Sequence, residues 1–154
     1  MRRISPTGKW RKVLRSSFLI FYITERDSMD EEQRYANGMA VRRAVLGDQH
    51  VDRAQTNVND FNAEFQNLIT RYAWGEIWTR PGLPRQTRSL MTICMMVALN
   101  REEELKLHLR AARNNGVSVD QVKEALLQTA IYCGVPAANS AFAIAQQVFS
   151  EMPE

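Results

Sequence analysis

The chain of 154 residues is long enough for one domain with a real core, and dividing it would leave two marginal pieces. Its 45% hydrophobic and 24% charged residues are ordinary for a globular protein. Seven basic and two acidic side chains put +5 on residues 1–28, which leaves −2 of the total +3 for residues 29–154, so the body has no general phosphate-binding surface and a nucleic-acid role is disfavoured.

The basic leader, residues 1–28, contains the apolar run Phe18-Leu-Ile-Phe-Tyr-Ile23. Six residues are short of the roughly 7–15 of a signal-peptide core, no small-residue cleavage site follows, and a bilayer needs about 20. Two readings stay open: a basic arm that touches a membrane or partner, or sequence upstream of a start at Met29. The second is preferred, with the leader poorly ordered and residues 29–154 as the domain.

A helix is predicted over residues 30–46, opening on Asp30, Glu31 and Glu32, which suit the positive end of the helix dipole. It stops at Gly47. A polar segment with Asp48, His50 and Asp52 follows. Asn57 or Asn59 caps a second helix to about Tyr72, with Phe61, Phe65, Leu68 and Ile69 at helical spacing. Residues 73–88, punctuated by Gly75, Pro81, Gly82 and Pro84, read as a structured loop.

The next helix carries Leu90-Met-Thr-Ile-Cys-Met-Met-Val-Ala-Leu99, apolar on every side except Thr92. Such a helix must be buried all round, which in a domain this small predicts that a second subunit covers one face. Residues 101–115 form a helix stopped by Gly116. Ser118-Val-Asp-Gln121 is a capping box for a helix through Tyr132, and Pro136 opens a last helix after Gly134. No two-residue alternation and no repeat stands out, so the fold class is all-α.

Candidate chemistry is sparse. There is no glycine-rich phosphate loop, no serine elbow and no dinucleotide fingerprint. With His50 and His108 as the sole histidines and Cys94 and Cys133 39 residues apart, no metal or redox cluster is expected. The thiols are expected to be reduced, and the chain to be cytoplasmic. His108 follows Glu104 by four residues, so both share one helix face, where a carboxylate can orient an imidazole and raise its pKa. A surface ion pair of no consequence fits the spacing equally well.

Glu76, Arg80, Arg85 and Arg88 fall close together in the loop. Guanidinium groups grip carboxylates through paired hydrogen bonds, so converging arginines would suit a dicarboxylate. They would equally pair with the chain's own acids or with a neighbouring subunit. Trp74 and Trp78 read as core or interface anchors, and Cys94 as structural. Cys133, at a helix end, is either a pocket-lining thiol or an inert buried one.

Five blocks then stand out: Tyr35-Ala-Asn-Gly-Met-Ala-Val-Arg-Arg-Ala-Val-Leu-Gly47, Asp60-Phe-Asn-Ala-Glu-Phe-Gln66, Ala73-Trp-Gly-Glu-Ile-Trp-Thr-Arg-Pro-Gly-Leu-Pro-Arg85, Glu103-Glu-Leu-Lys-Leu-His-Leu-Arg-Ala-Ala112 and Ala130-Ile-Tyr-Cys-Gly-Val-Pro-Ala-Ala-Asn139. In this order they closely resemble the carboxymuconolactone decarboxylase family, from about Met29 onward. The resemblance implies an alkylhydroperoxidase-like bundle of about six helices, assembled as a homohexamer. It also implies a reaction, conversion of 4-carboxymuconolactone to 3-oxoadipate enol-lactone and carbon dioxide in protocatechuate catabolism.

No cofactor, metal, nucleic acid or membrane partner is implied, and the ligand is a small dicarboxylate lactone. Redox members of the wider superfamily carry a Cys-x-x-Cys-x-x-x-His motif. Alignment on His108 places Arg101 and Glu104 at those cysteines and Ser89 at an upstream glutamate, which excludes thiol-based peroxide reduction.

On this footing His108 is the candidate proton donor, Glu104 tunes or relays, and Glu76 is a possible second acid or base. Arg80 and Arg85, then Arg88, are candidate carboxylate ligands, with Cys133 in the substrate pocket. Rival readings are a decarboxylase or isomerase for a related lactone or 3-oxo acid, and a non-catalytic helical oligomer that binds small acids.

Overall fold

The computed structural model describes residues 30–152; the leader, residues 1–28, lies outside the described residues. Every regular element among them is helical, and none of these helices is long and apolar enough to cross a membrane.

Helix α1 spans Glu31–Leu46, with Glu31 and Glu32 in its first turn and Arg43 in its last, each at the end of the dipole it complements. Gly47, at φ 85, turns the chain directly into α2, Asp48–Thr56. The segment read as merely polar is therefore a helix. Val51 is its buried residue, and a nine-residue helix with so narrow an apolar face leaves little periodic signal. Its position is held instead by Arg43, which pairs with Asp48 at 3.0 Å and Asp52 at 2.7 Å.

Asn59 and Asn62 hold the turn before α3, with the Asn62 side chain accepting from the Asn59 backbone N–H at 2.9 Å. Helix α3 (Ala63–Leu68) runs without a break into π1, a π-helical stretch over Ile69–Ile77. Wider i→i+5 bonding marks it, and Trp78 N still donates to Ala73 O at 2.9 Å beyond its end.

The loop expected over 73–88 thus shortens to the turn between Ile77 and Arg85. Gly75, which reads as a breaker in sequence, lies inside π1, where its α-carbon packs on the carbonyl of Arg34. Gly38 of α1 packs in the same way on the carbonyl of Thr70. A β-carbon at either glycine would overlap backbone, so the pair sets how closely α1 and π1 cross.

Pro84 caps α4, Arg85–Ala98, in extended conformation, matching its missing N–H and fixed φ. Buried Ser89, Ile93 and Val97 recur every four residues, whereas Met91, Met95 and Leu99 are exposed. The expected all-round burial is absent within one chain. Helix α5 (Glu102–Asn114) ends before Gly116, at φ 75. Helix α6 (Val119–Tyr132) has both bonds of the capping box between Ser118 and Gln121, and α7 (Val135–Ser150) follows Gly134, at φ 92, with proline in its first turn.

Counting α3 and π1 together, seven helical segments are described rather than about six, and α2 is the addition. The main core joins α4 to α7 through Ile93, Leu109, Leu126 and Val148, while Val41, Val45, Trp74 and Ala111 form a second, smaller core. Helix α5 serves both, Leu109 facing one core and Ala111 the other. Asn114 donates from Nδ2 to Val45 O at 3.0 Å, tying α5 to the end of α1. His108 lies on this shared helix, one turn before Ala112.

Candidate active site

Helix α5 presents a solvent-side face to α2, and between them lies an open cavity of about 750 Å³. The α2 wall contributes His50 and Arg53, three residues apart and hence on one helix face. The α5 wall contributes Glu104, Lys106 and Arg110. Two of these cations are already paired, Lys106 with Glu103 at 2.6 Å and Arg110 with Glu151 at 2.8 Å. Arg53 donates from Nε to the backbone oxygen of Gln49 at 3.4 Å and has no ion pair among the described residues.

His108 is half-buried. It does not line the cavity itself, but it is within electrostatic reach of His50 and Glu104, which do. Burial is the main influence and pushes the imidazole below its ordinary pKa; His50 adds to this, and Glu104 opposes it. Glu104 therefore acts in the direction its spacing suggests but is outweighed. His50 is also held low, first by burial and then by the charges of Arg42 and Arg53. Both imidazoles are thereby biased toward the neutral form.

Arg42 of α1 does not line this cavity, though its charge is the larger of the two acting on His50. It occupies the buried face of α1 with Gly38, Val41 and Val45 and is 4% exposed. Nη1 donates to Thr70 Oγ1 at 3.3 Å, Nη2 donates to Gln66 Oε1 at 3.0 Å, and Nε has no partner. Both partners are neutral. Burial lowers its pKa, with Tyr35 opposing. Gly38, one turn earlier, is what lets Thr70 come close enough to meet the guanidinium.

The loop candidates form a separate group. Glu76 of π1 pairs with Arg80 at 3.8 Å, and Arg88 of α4 donates from Nη2 to Arg80 O at 3.0 Å. Arg85 is exposed at the start of α4. Cys133 lines a different hollow, an apolar groove of about 990 Å³ between α4 and α6, together with Cys94, Met91 and Met95. Neither Glu76, the three arginines nor Cys133 lines the His50 cavity. Within one chain, then, Glu104 and His108 come together, Glu76, Arg80 and Arg88 come together, and the two groups stay apart.

Sequence reasoning did not select His50, Arg53 or Arg42. Reading residues 48–56 as a helix would have put His50 and Arg53 on one face. Arg42 carried a plainer signal, a charge within the apolar stripe of Gly38, Val41 and Val45.

Residues 63–147 match the model of the carboxymuconolactone decarboxylase family. The chain is 55% identical over 124 residues to a 4-carboxymuconolactone decarboxylase of Acinetobacter baylyi, covering 80% of this chain and 92% of that protein. It is 41% identical over 118 residues to the nitrosuccinic acid decarboxylase npaB of Metarhizium robertsii, covering 77% and 82%. A 4-carboxymuconolactone decarboxylase of Pseudomonas putida is 67% identical over 48 residues, 31% of this chain and all of the sequence compared.

Proposed function

The chain belongs to the carboxymuconolactone decarboxylase family, and on that premise we propose that it is a cytoplasmic carboxy-lyase converting 4-carboxymuconolactone to 3-oxoadipate enol-lactone and carbon dioxide. The observation that carries this reading is the 55% identity to a relative of that name across 92% of its length.

The chemistry asks for little beyond positioning and one proton. The bond from the γ-carbon to the carboxylate breaks, carbon dioxide leaves, and the electron pair flows through the unsaturated lactone to its carbonyl oxygen. The dienolate then takes a proton at the α-carbon. Because the electron sink lies in the substrate, the reaction calls for no cofactor. The protein's part is to hold the acid and stabilise the developing negative charge.

In this reading His108 delivers the proton and Glu104 returns one from solvent. A dianionic substrate beside His50 and His108 raises the pKa of both imidazoles, so binding itself loads the donor. Glu76 is a further acid or base, and Arg80, Arg85 and Arg88 hold carboxylates where a neighbouring subunit brings its loop to the cavity. That requires an assembly, for which we propose the homohexamer. Two uncovered apolar surfaces support it. Phe61 is 98% exposed beside exposed Phe65 and Leu68, and Met91 and Met95 stand open on α4.

A second reading, decarboxylation of a related acid, is favoured by the similarity to the nitrosuccinic acid decarboxylase. Turnover of 4-carboxymuconolactone, followed as loss of ultraviolet absorbance, is compared with turnover of related lactones and of nitrosuccinate. Preference for 4-carboxymuconolactone is expected. A folded protein that turns over nitrosuccinate alone replaces the first reading with the second, and one inert on all of them overturns both.

A further inference from the structure

The three cations that line the cavity between α2 and α5 are not equivalent. Lys106 and Arg110 of α5 each have a carboxylate partner already, Glu103 at 2.6 Å and Glu151 at 2.8 Å. Arg53 of α2 lines the same cavity and has no ion pair among the described residues. The acids of its own helix are engaged elsewhere: Asp48 and Asp52 both accept from Arg43 of α1, at 3.0 and 2.7 Å. Helix geometry enforces this division. At 3.6 residues per turn, positions 48 and 52 share one face of α2, and positions 49, 50 and 53 share another.

The Arg53 side chain is tethered through Nε alone, to Gln49 O at the long distance of 3.4 Å. Both terminal nitrogens stay without a hydrogen bond among the described residues. Beside them on the cavity wall are His50, one turn earlier, and the apolar surface of Leu46 and Leu107. The cavity, about 750 Å³ in volume, is in the size range of small-molecule sites. An open guanidinium fork, an imidazole and an apolar wall are the parts needed to take up a small carboxylic acid by its charged end.

We propose that Arg53 is the carboxylate ligand of this cavity, its two terminal nitrogens gripping one carboxylate of the bound acid beside His50 while the acid's apolar body lies against Leu46 and Leu107. The inference rests on the decarboxylase reading only for the identity of that acid. It gives α2 a binding role that the reading had left to the loop arginines, which do not line this cavity within one chain. Glu104 lines the α5 wall and repels an anion, so the carboxylate belongs at the α2 wall. A surface charge that served solubility alone would be met as well by lysine, which lacks the planar fork. The charge of Arg53 also contributes, after burial and Arg42, to holding His50 below its ordinary pKa; a carboxylate seated on Arg53 reverses that contribution.

The test is a titration with succinate, a non-reacting dicarboxylate, at constant ionic strength, followed by the imidazole proton resonances of His50. The full chain is compared with Arg53→Gln, Arg53→Lys and Arg110→Gln. Succinate is expected to shift the His50 resonances and to raise the His50 pKa. Arg53→Gln should weaken binding at least about tenfold. Arg53→Lys, which keeps the charge and loses the fork, should weaken it about three- to fivefold. Arg110→Gln removes the same unit charge from the same cavity and should stay within about twofold, because that charge is already paired. Arg53 is exposed, so the melting temperature should hold; were Arg53→Gln to unfold, Arg53→Lys against Arg110→Gln makes the same comparison.

Unchanged binding in Arg53→Gln overturns the proposal, and so does an equal loss in Arg110→Gln, which would reduce the effect to net charge. His50 resonances of the parent protein that ignore succinate overturn it as well. Because the readout needs no turnover, the two readings fail separately. A protein that binds succinate through Arg53 and leaves 4-carboxymuconolactone intact keeps the site and loses the reaction. One that turns over 4-carboxymuconolactone with KM untouched by Arg53→Gln keeps the reaction and loses the site.

Discussion

Gly38 lies against the carbonyl oxygen of Thr70 with no room between them for a β-carbon, and one turn later Arg42 reaches the hydroxyl of the same threonine. A single crossing of α1 and π1 thus sets both the packing of the small core and the place of the buried cation. Gly38→Ala has to push backbone apart and is expected to lose about 1–3 kcal/mol of stability or more. Gly82, which faces open space, is the control, and Gly82→Ala should stay within about 0.5 kcal/mol. Urea denaturation of the two variants measures the difference. Equal midpoints would mean that the crossing relaxes freely.

His108→Gln removes the titrating group while keeping a polar side chain of similar reach. If His108 is the proton donor, kcat falls by about 10²–10⁴-fold, with the helical circular dichroism and assembly state unchanged. Full turnover by a folded, normally assembled variant would move the proton to another group. His50, the imidazole nearest in influence, is then the next to test.

Stability should depend on pH in the range where histidine titrates. Both imidazoles are held below the ordinary value of 6.5, chiefly by burial, so the unfolded chain binds protons that the folded chain refuses. The stabilisation is therefore fully present above about pH 6.5 and is lost as the pH falls through the lowered folded-state values. Denaturation midpoints at pH 8 and pH 5.5 should differ in favour of pH 8, and the double variant His50→Gln, His108→Gln should show a smaller difference. An unchanged slope in the double variant would assign the effect to other groups.

Much of the fold was legible because its signals are local. Asp30, Glu31 and Glu32 opening α1, the Ser118–Gln121 capping box and the stops at Gly47, Gly116 and Gly134 act within one or two turns, and the helices begin and end where those residues say. Helix α2 was missed because its burial rests on Val51 and its fixing on Arg43 of another helix. Gly75 was misread because a glycine that breaks a helix and a glycine that admits a neighbouring backbone are the same residue in a sequence. The apolar run of α4 was read as buried on every side, and one chain leaves Met91, Met95 and Leu99 exposed.

Residue pattern alone marks the body of this protein as all-α, assigns its basicity to the leader, and puts His108 and Glu104 on one helix face; the family blocks pointed to the reaction. Packing between distant segments brings His50 within electrostatic reach of His108, keeps the arginines around Arg80 out of the His50 cavity within one chain, and buries Arg42 with no carboxylate partner among the described residues. The physical reason is range. Helical periodicity and capping are set by residues three or four apart, whereas the approach of α2 to α5 and of π1 to α1 depends on packing between segments tens of residues distant. Electrostatic environment, which decides what an imidazole or a guanidinium can do, exists only once that packing has formed.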